Sequence, residues 1–387
     1  MTTDGVIRLS EVQMERAGKR CGDAWLVQDI SLAVRPGELY TLLGPPGSGK
    51  TTLLRMLAGF APPDAGRIVV DDQPIDAVPP RKRNFGMVFQ NHALWPHMTV
   101  EEHVAFGLRE RGLGGEALGR KVATTLEQMG LAGFEKRRPA DLTGSEPARV
   151  ALARALAIQP RLLLLDDPLA GLEAPVRARM RIEVAKLQRE VGITTIYATA
   201  DQAEALTLSS RIAVLDHGRI AQEGKPEDVY WRPRNRFVAE FLGAVNLLPV
   251  RVVELRELGV VVETPGGAGL PVAAGGHAWT VGARGLLCLR PEALLIEEAE
   301  RAHGGIPGTV AGYVFEGGRQ SYDVSIGGCV LRVDMITSAA HGRGFHRGDR
   351  VKVQVSPDTS VLLPDDGGGS GRADILPGVS TIPGGRT

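Results

Sequence analysis

The chain has 387 residues, too many for one compact core, so two or more domains are expected. It is 43% hydrophobic and 23% charged, with Lys+Arg and Asp+Glu both at 45. That balance excludes a generally nucleic-acid-coating or membrane-coating surface, and no nucleic-acid partner is expected.

Met1 to Gln13 lacks a basic stretch followed by an apolar core, so no signal peptide is predicted. From Val6 to about Gly243, short apolar runs alternate with helical patterns, which predicts an α/β domain with a largely parallel sheet. Residues 37–44, 161–167 and 193–199 are continuous apolar or β-branched runs suited to strands buried on both faces. Residues 91 to about 150 read as a helical subdomain. After Asn246 glycine becomes frequent and short strand-like stretches alternate with turns, which predicts a small all-β barrel over 246–364. Residues 365–387 are glycine-rich and are expected to be a disordered tail. Cys21, Cys288 and Cys329 have no metal-site spacing and read as reduced thiols of a cytosolic protein. No apolar run is long enough to cross a bilayer as a helix.

One stretch carries chemistry directly. "GPPGSGKTT", Gly44 to Thr52, follows a predicted strand and opens a predicted helix, and it fits G-x-x-x-x-G-K-[ST]. In that setting the N–H groups around Gly44, Gly47, Ser48, Gly49, Lys50, Thr51 and Thr52 cradle the α- and β-phosphates of a nucleotide. Lys50 reaches the β/γ-phosphates and the Thr51 hydroxyl ligates Mg²⁺. Asp166 ends an apolar run, as the second Mg²⁺-side carboxylate should.

With these motifs in order, the chain resembles the ATP-binding subunit of an ABC importer. The resemblance rests on "GPPGSGKTTLLRMLAG", "MVFQNHALWPHMTVEEHVAFGL", "RVALARALAIQPRLLLLDDPLAGL" and "DQAEALTLSSRIAVLDHGRIAQEGKPEDVY". Its nearest group is the polyamine, iron, sulfate and maltose-type importers, whose ATPases end in a small OB-like, TOBE-like barrel. The resemblance implies a P-loop ABC domain over residues 5–243, ATP and Mg²⁺ as ligands, and Gln90 as a contact to both Mg²⁺ and the attacking water. It implies a second ATP-binding subunit whose signature, here Thr143 and Gly144, completes each site. Membrane permease subunits and, indirectly, a substrate-binding protein are the other implied partners, with the chain peripheral on the cytoplasmic face of the membrane.

The departures from the family pattern are specific. LSGGQ becomes Leu142-Thr143-Gly144-Ser145-Glu146. Asp167 stands in place of the catalytic Glu and Ala200 in place of the switch histidine. Ala170 and Glu173 alter the following loop, and Cys21 replaces the ring that stacks on adenine, with Trp25 as a candidate substitute. Ser145 is expected to crowd a phosphate, and Glu146 to support its own helix while weakening the positive end a γ-phosphate needs. These changes fall on the γ-phosphate side and spare the β-phosphate side, so binding with weakened hydrolysis is expected. The alternative is a hydrolysis-deficient, nucleotide-gated regulatory subunit. A soluble ABC protein of DNA repair or translation is disfavoured, because long coiled-coil insertions or a second ATPase domain are missing.

Overall fold

The computed structural model describes residues 9–257, 259–302, 304–336 and 344–365. Residues 366–387 of the predicted tail and the first residues of the predicted ABC domain therefore lie outside the described residues. The chain divides into two compact units after Gly243.

In the first unit, β1 (Val12–Cys21) and β2 (Ala24–Val34) form a long antiparallel hairpin. β3 (Leu39–Leu43) then leads through the glycine-rich loop into α1 (Lys50–Ala58). β4 (Ala65–Val70) and β5 (Gln73–Pro74) join the hairpin in a four-stranded sheet of order β2-β1-β4-β5. The short α2 (Pro80–Arg83), β6 (Phe85–Val88), α3 (Val100–Arg109), α4 (Gly115–Gln128) and α5 (Glu146–Ala157) follow. The unit continues with β7 (Leu162–Asp166), α6 (Ala174–Val191), β8 (Thr195–Thr199), α7 (Gln202–Leu208), β9 (Arg211–Asp216) and β10 (Arg219–Gly224). α8 (Pro226–Trp231) and α9 (Arg236–Phe241) close it.

A second sheet has the order β10-β9-β3-β8-β7-β6, parallel except for β10. Every residue of β3, β7 and β8 is buried, as expected of central parallel strands with both faces covered. The helical segment is held by apolar side chains at helical spacing: Val100, Val104 and Leu108 of α3 and Val122 and Leu126 of α4. They share one core with α5. Thr99 starts α3 with a complete capping box to Glu102, which fixes where that helix begins. The antiparallel sheet of β1, β2, β4 and β5 was not expected from the sequence; register shifts in the β1–β2 pairing break the simple alternation that would announce it.

The second unit is all-β and barrel-like. β11 (Asn246–Arg256), β12 (Gly259–Glu263), β13 (Gly269–Val272), β14 (Arg284–Leu289), β15 (Leu295–Glu298) and β16 (Ile306–Phe315) come first. β17 (Arg319–Ile326), β18 (Cys329–Ile336), β19 (Arg350–Gln354) and β20 (Ser360–Pro364) follow. They form two five-stranded sheets, β13-β12-β11-β14-β20 and β15-β19-β16-β17-β18, whose inner faces share one apolar core. Cys288 of β14 is buried between Leu287 and Leu289, which belong to this core, and burial pushes its thiol up to about 11.

Candidate nucleotide site

The loop between β3 and α1 is shaped by glycines where no other residue fits. Gly47 and Gly49 have φ of 81° and 100°, and a Cβ on Gly49 would sit 2.3 Å from the Val27 side chain. α1 then begins without a side-chain cap and without an acidic residue in its first turn. Its terminal N–H groups and positive end therefore remain available to an anion. The Lys50 ammonium is folded inward, donating to the Gly44 carbonyl at 2.7 Å and the Pro45 carbonyl at 2.9 Å. Burial lowers its pKa, opposed by the charges of Asp167 and Asp166. Thr52 occupies the same first turn, and Ser48 is buried beneath the loop.

Two strand ends bring acidic and polar groups to this loop. The Thr51 hydroxyl donates to Asp166 Oδ1 at 2.9 Å, which joins the start of α1 to the end of β7. Burial raises the Asp166 pKa, opposed by the Thr51 bond and by Arg55 and Lys50. Asp167 follows in a left-handed conformation, φ 47°, with its N–H on the Ala198 carbonyl at 2.8 Å. Burial and then the neighbouring Asp166 raise its pKa. Gln90, just past β6, donates its amide to Asp167 Oδ2 at 3.3 Å. Lys50, Thr51, Asp166, Asp167 and Gln90 are thus connected by hydrogen bonds and charge around one loop.

These oxygens suit a hard cation that keeps phosphate and water among its ligands, as Mg²⁺ does. Thr51 supplies a hydroxyl, Asp166 a carboxylate and Gln90 an amide oxygen. No cluster of three or more His, Cys, Asp or Glu that could hold a metal occurs among the described residues.

The side of the site where a γ-phosphate would be met is built differently. Ala200 is exposed at the end of β8 and offers only a methyl group. Its neighbours are committed to structure: the Thr199 hydroxyl donates to Glu204 at 2.8 Å, and Asp201 caps α7 and pairs with Arg177 at 3.3 Å. Thr143 and Gly144 form an exposed turn ahead of α5, and no hydrogen bond among the described residues joins that turn to Gly44–Thr52. Ser145 has an ordinary backbone, φ −85°, and makes no side-chain cap bond.

Two features went unread in the sequence. Glu146 turns back and accepts from the Thr143 N–H at 2.8 Å and from its hydroxyl at 3.4 Å. The signal was present, since Thr143-x-x-Glu146 spells a capping motif. Arg154 of α5 donates to the His92 carbonyl at 2.7 Å and the Ala93 carbonyl at 2.6 Å, tying the signature helix to the segment after Gln90. A lone arginine in the apolar stretch "VALARALA" is the trace it leaves in the sequence. Trp25 lies against Gly18, under the Arg20 guanidinium at 4.2 Å, in a surface hollow shared with Lys19, Gly22, Asp64 and Ala65. The Val27 side chain and the Leu26 carbonyl flank Gly49 of the phosphate loop.

Comparison with known proteins agrees with this geometry. Residues 27–170 match the ABC transporter family model and residues 287–363 the TOBE domain model. A spermidine/putrescine import ATP-binding protein PotA of Nitrosomonas europaea is 39% identical over 361 residues, covering 91% of this chain and 99% of that one. The PotA of Methylococcus capsulatus is 39% identical over 367 residues, covering 94% and 95%. Among solved structures, cbiO1 of Clostridium perfringens, part of the ABC transporter complex cbiONQ, superposes with a TM-score of 0.53 at 29% identity. It covers 56% of this chain and 89% of that one. A dimeric, post-hydrolysis ATP-binding cassette, MJ0796 with ADP and Pi, gives 0.51 at 28% identity, covering 56% and 98%. Phosphate loop, strand-end carboxylates, all-β second unit and near full-length likeness to importer ATPases agree: the chain belongs to the family of ABC importer ATP-binding subunits that carry a C-terminal TOBE domain.

Proposed function

We propose that this subunit binds Mg²⁺-ATP at Gly44–Thr52 and hydrolyses it slowly to drive import of a polyamine. The observation that carries the reading is the division of the site. Lys50 is held on the loop carbonyls, Thr51 on Asp166 and Gln90 on Asp167, whereas Asp167 and Ala200 are both shorter than the family's residues.

In this reading the open N–H groups at the start of α1 and the Lys50 ammonium hold the α- and β-phosphates. Thr51 and Asp166, with Gln90, would hold Mg²⁺, which would neutralise phosphate charge. Gln90 orients water and Asp167 accepts its proton. The raised pKa of Asp167 moves a carboxylate toward the range useful to a general base. One methylene fewer than Glu leaves it about an ångström short, a misplacement that can cost on the order of 100-fold. Ala200 provides no hydrogen bond to the γ-phosphate.

The partners in this reading are a second ATP-binding subunit, identical or related in sequence, permease subunits and an external substrate-binding protein. The chain sits peripherally on the cytoplasmic face of the membrane; no helix among the described residues is long and apolar enough to cross one. The polyamine assignment rests on the names of the relatives, which are spermidine/putrescine import proteins. Ala200 and the occupied Thr143 favour a second reading, a subunit that binds nucleotide and regulates without turnover.

The deciding experiment is steady-state ATPase activity with Mg²⁺, measured beside Lys50→Ala and an Asp167→Glu/Ala200→His double variant. Activity above the Lys50→Ala level is expected of a slow motor. Activity equal to that level, with ATP still bound, leaves the regulatory reading standing.

A further inference from the structure

We propose that Glu146 is an internal counter-ligand of the signature turn: its carboxylate holds the donors that the ATP of a second subunit must claim. The proposal rests on the preceding reading, in which Thr143 and Gly144 meet nucleotide bound to a partner. Glu146 is then a positioning residue that sets how much ATP is needed to close the dimer.

The geometry is that of an anion already bound. Glu146 Oε2 accepts from the Thr143 N–H at 2.8 Å and from the Thr143 hydroxyl at 3.4 Å. A backbone N–H and a hydroxyl presented together are the donors with which a helix-opening turn takes a phosphate oxygen. Here a carboxylate oxygen of the same chain has them. The phosphate loop shows the opposite state, since the first turn of α1 carries no acidic residue.

The side chain can leave without rebuilding the turn. The backbone bond from the Glu146 N–H to the Thr143 carbonyl, 3.0 Å, does not involve the carboxylate. Gly144, at φ 54°, has open space around it, with nothing within 4 Å of a Cβ placed there. The Arg137 guanidinium lies 3.8 Å from Glu146 Oε1, close enough to keep a partner for the carboxylate when Oε2 is displaced. The turn is therefore closed to phosphate by a side chain and not by its backbone.

Two effects oppose an incoming phosphate, occupation of the donors and repulsion between two anions, and substitution separates them. Ala at this position removes both. Asp keeps the charge but is one methylene shorter and loses the reach to the Thr143 N–H. The test uses the full chain with Asp167→Asn in every sample to hold ATP unhydrolysed, and follows dimer formation by sedimentation against Mg²⁺-ATP concentration. Binding of a fluorescent ATP analogue is measured in parallel, with Lys50→Ala as the blank.

Glu146→Ala and Glu146→Asp are both expected to lower the ATP concentration at half-dimerisation by about tenfold, the scale of one hydrogen bond to a charged group. In the nucleotide-free chain, hydrogen exchange at the Thr143 amide is expected to quicken in both variants. A shift with Ala alone overturns the proposal in favour of simple repulsion, and no shift with either overturns it outright. If the natural chain binds the analogue no better than the blank, the nucleotide-binding reading itself falls and takes the counter-ligand with it. If binding is intact and only the half-point stays put, this proposal alone is lost.

Discussion

The phosphate loop and the signature turn are two solutions to the same local problem, a glycine-bearing turn that opens a helix. At Gly44–Thr52 the helix starts uncapped, its N–H groups are open and its lysine is parked on the loop's own carbonyls. At Thr143–Glu146 the turn satisfies itself, because a carboxylate of the next helix fills the donors. Unsatisfied N–H groups cost stability, so an open turn persists where a ligand supplies the missing acceptor. The first turn is built for a ligand and the second for its own helix. Under the proposed function that contrast would put nucleotide binding at the first turn and closure with a second subunit at the other.

The largest expected effect strikes the open turn. Lys50→Ala should remove ATP binding and hydrolysis together, by on the order of 100-fold or more, since it deletes the charge facing the β/γ-phosphates. A variant that binds a fluorescent ATP analogue as well as the natural chain would erase the contrast between the turns.

Repair of the altered side comes next. Asp167→Glu combined with Ala200→His should raise turnover by on the order of 100-fold with little change in ATP affinity. Parallel measurement of kcat and KM checks this. A change confined to KM would move the fault from chemistry to binding.

A smaller effect tests how the two sides are joined. Arg154→Ala removes two charge-assisted bonds to the His92 and Ala93 carbonyls, so a loss of about 1.5–3 kcal/mol in stability is expected. Chemical denaturation reads it directly. An unchanged midpoint would mean that α5 and the segment after Gln90 are held by packing alone.

The least of the four concerns pH. Glu204 is 1% exposed and burial raises its pKa, although Tyr197 and Thr199 both donate to it. With the folded pKa above the unfolded one, the folded chain keeps a proton that the unfolded chain has released. Stability therefore falls as pH rises from the ordinary carboxylate range through the folded pKa, and is flat above it. Glu204→Gln should remove that slope and raise Tm at pH 8 by about 2–4 °C. A melting series from pH 4 to 8 checks the sign; a variant that melts lower at pH 8 would show that the ionised carboxylate is the better acceptor.

How much could be read in advance depended on how far apart the deciding residues lie. The phosphate loop and the buried runs ending at Leu43, Asp166 and Thr199 are contiguous, and their chemistry is set by neighbours in the chain. The alternating stretches beyond Asn246 declared an all-β unit in the same way. The antiparallel sheet escaped, because bulges in β1 interrupt its period. Trp25 was a plausible substitute for the missing adenine-stacking ring by sequence distance alone. In the structure its ring lies against Gly18 and under the Arg20 guanidinium, while the Val27 side chain and the Leu26 carbonyl flank Gly49. Arg154 and its carbonyl partners are separated by 61 and 62 residues, a pairing no local pattern could announce.

The backbone at Asp167 has a further consequence. Its φ of 47° is left-handed, a region that Asp and Asn enter far more readily than longer side chains do. A Glu at this position would carry roughly 1 kcal/mol of strain as the standing cost of its reach. Exchange for Asp releases that strain while shortening the reach, so folding favours the residue that, under the proposed function, would slow the chemistry. Selection for a sturdier protein and relaxed selection for turnover would both push this residue the same way. Under the proposed function, slower turnover at this residue would be downhill in conformational energy, and its recovery uphill.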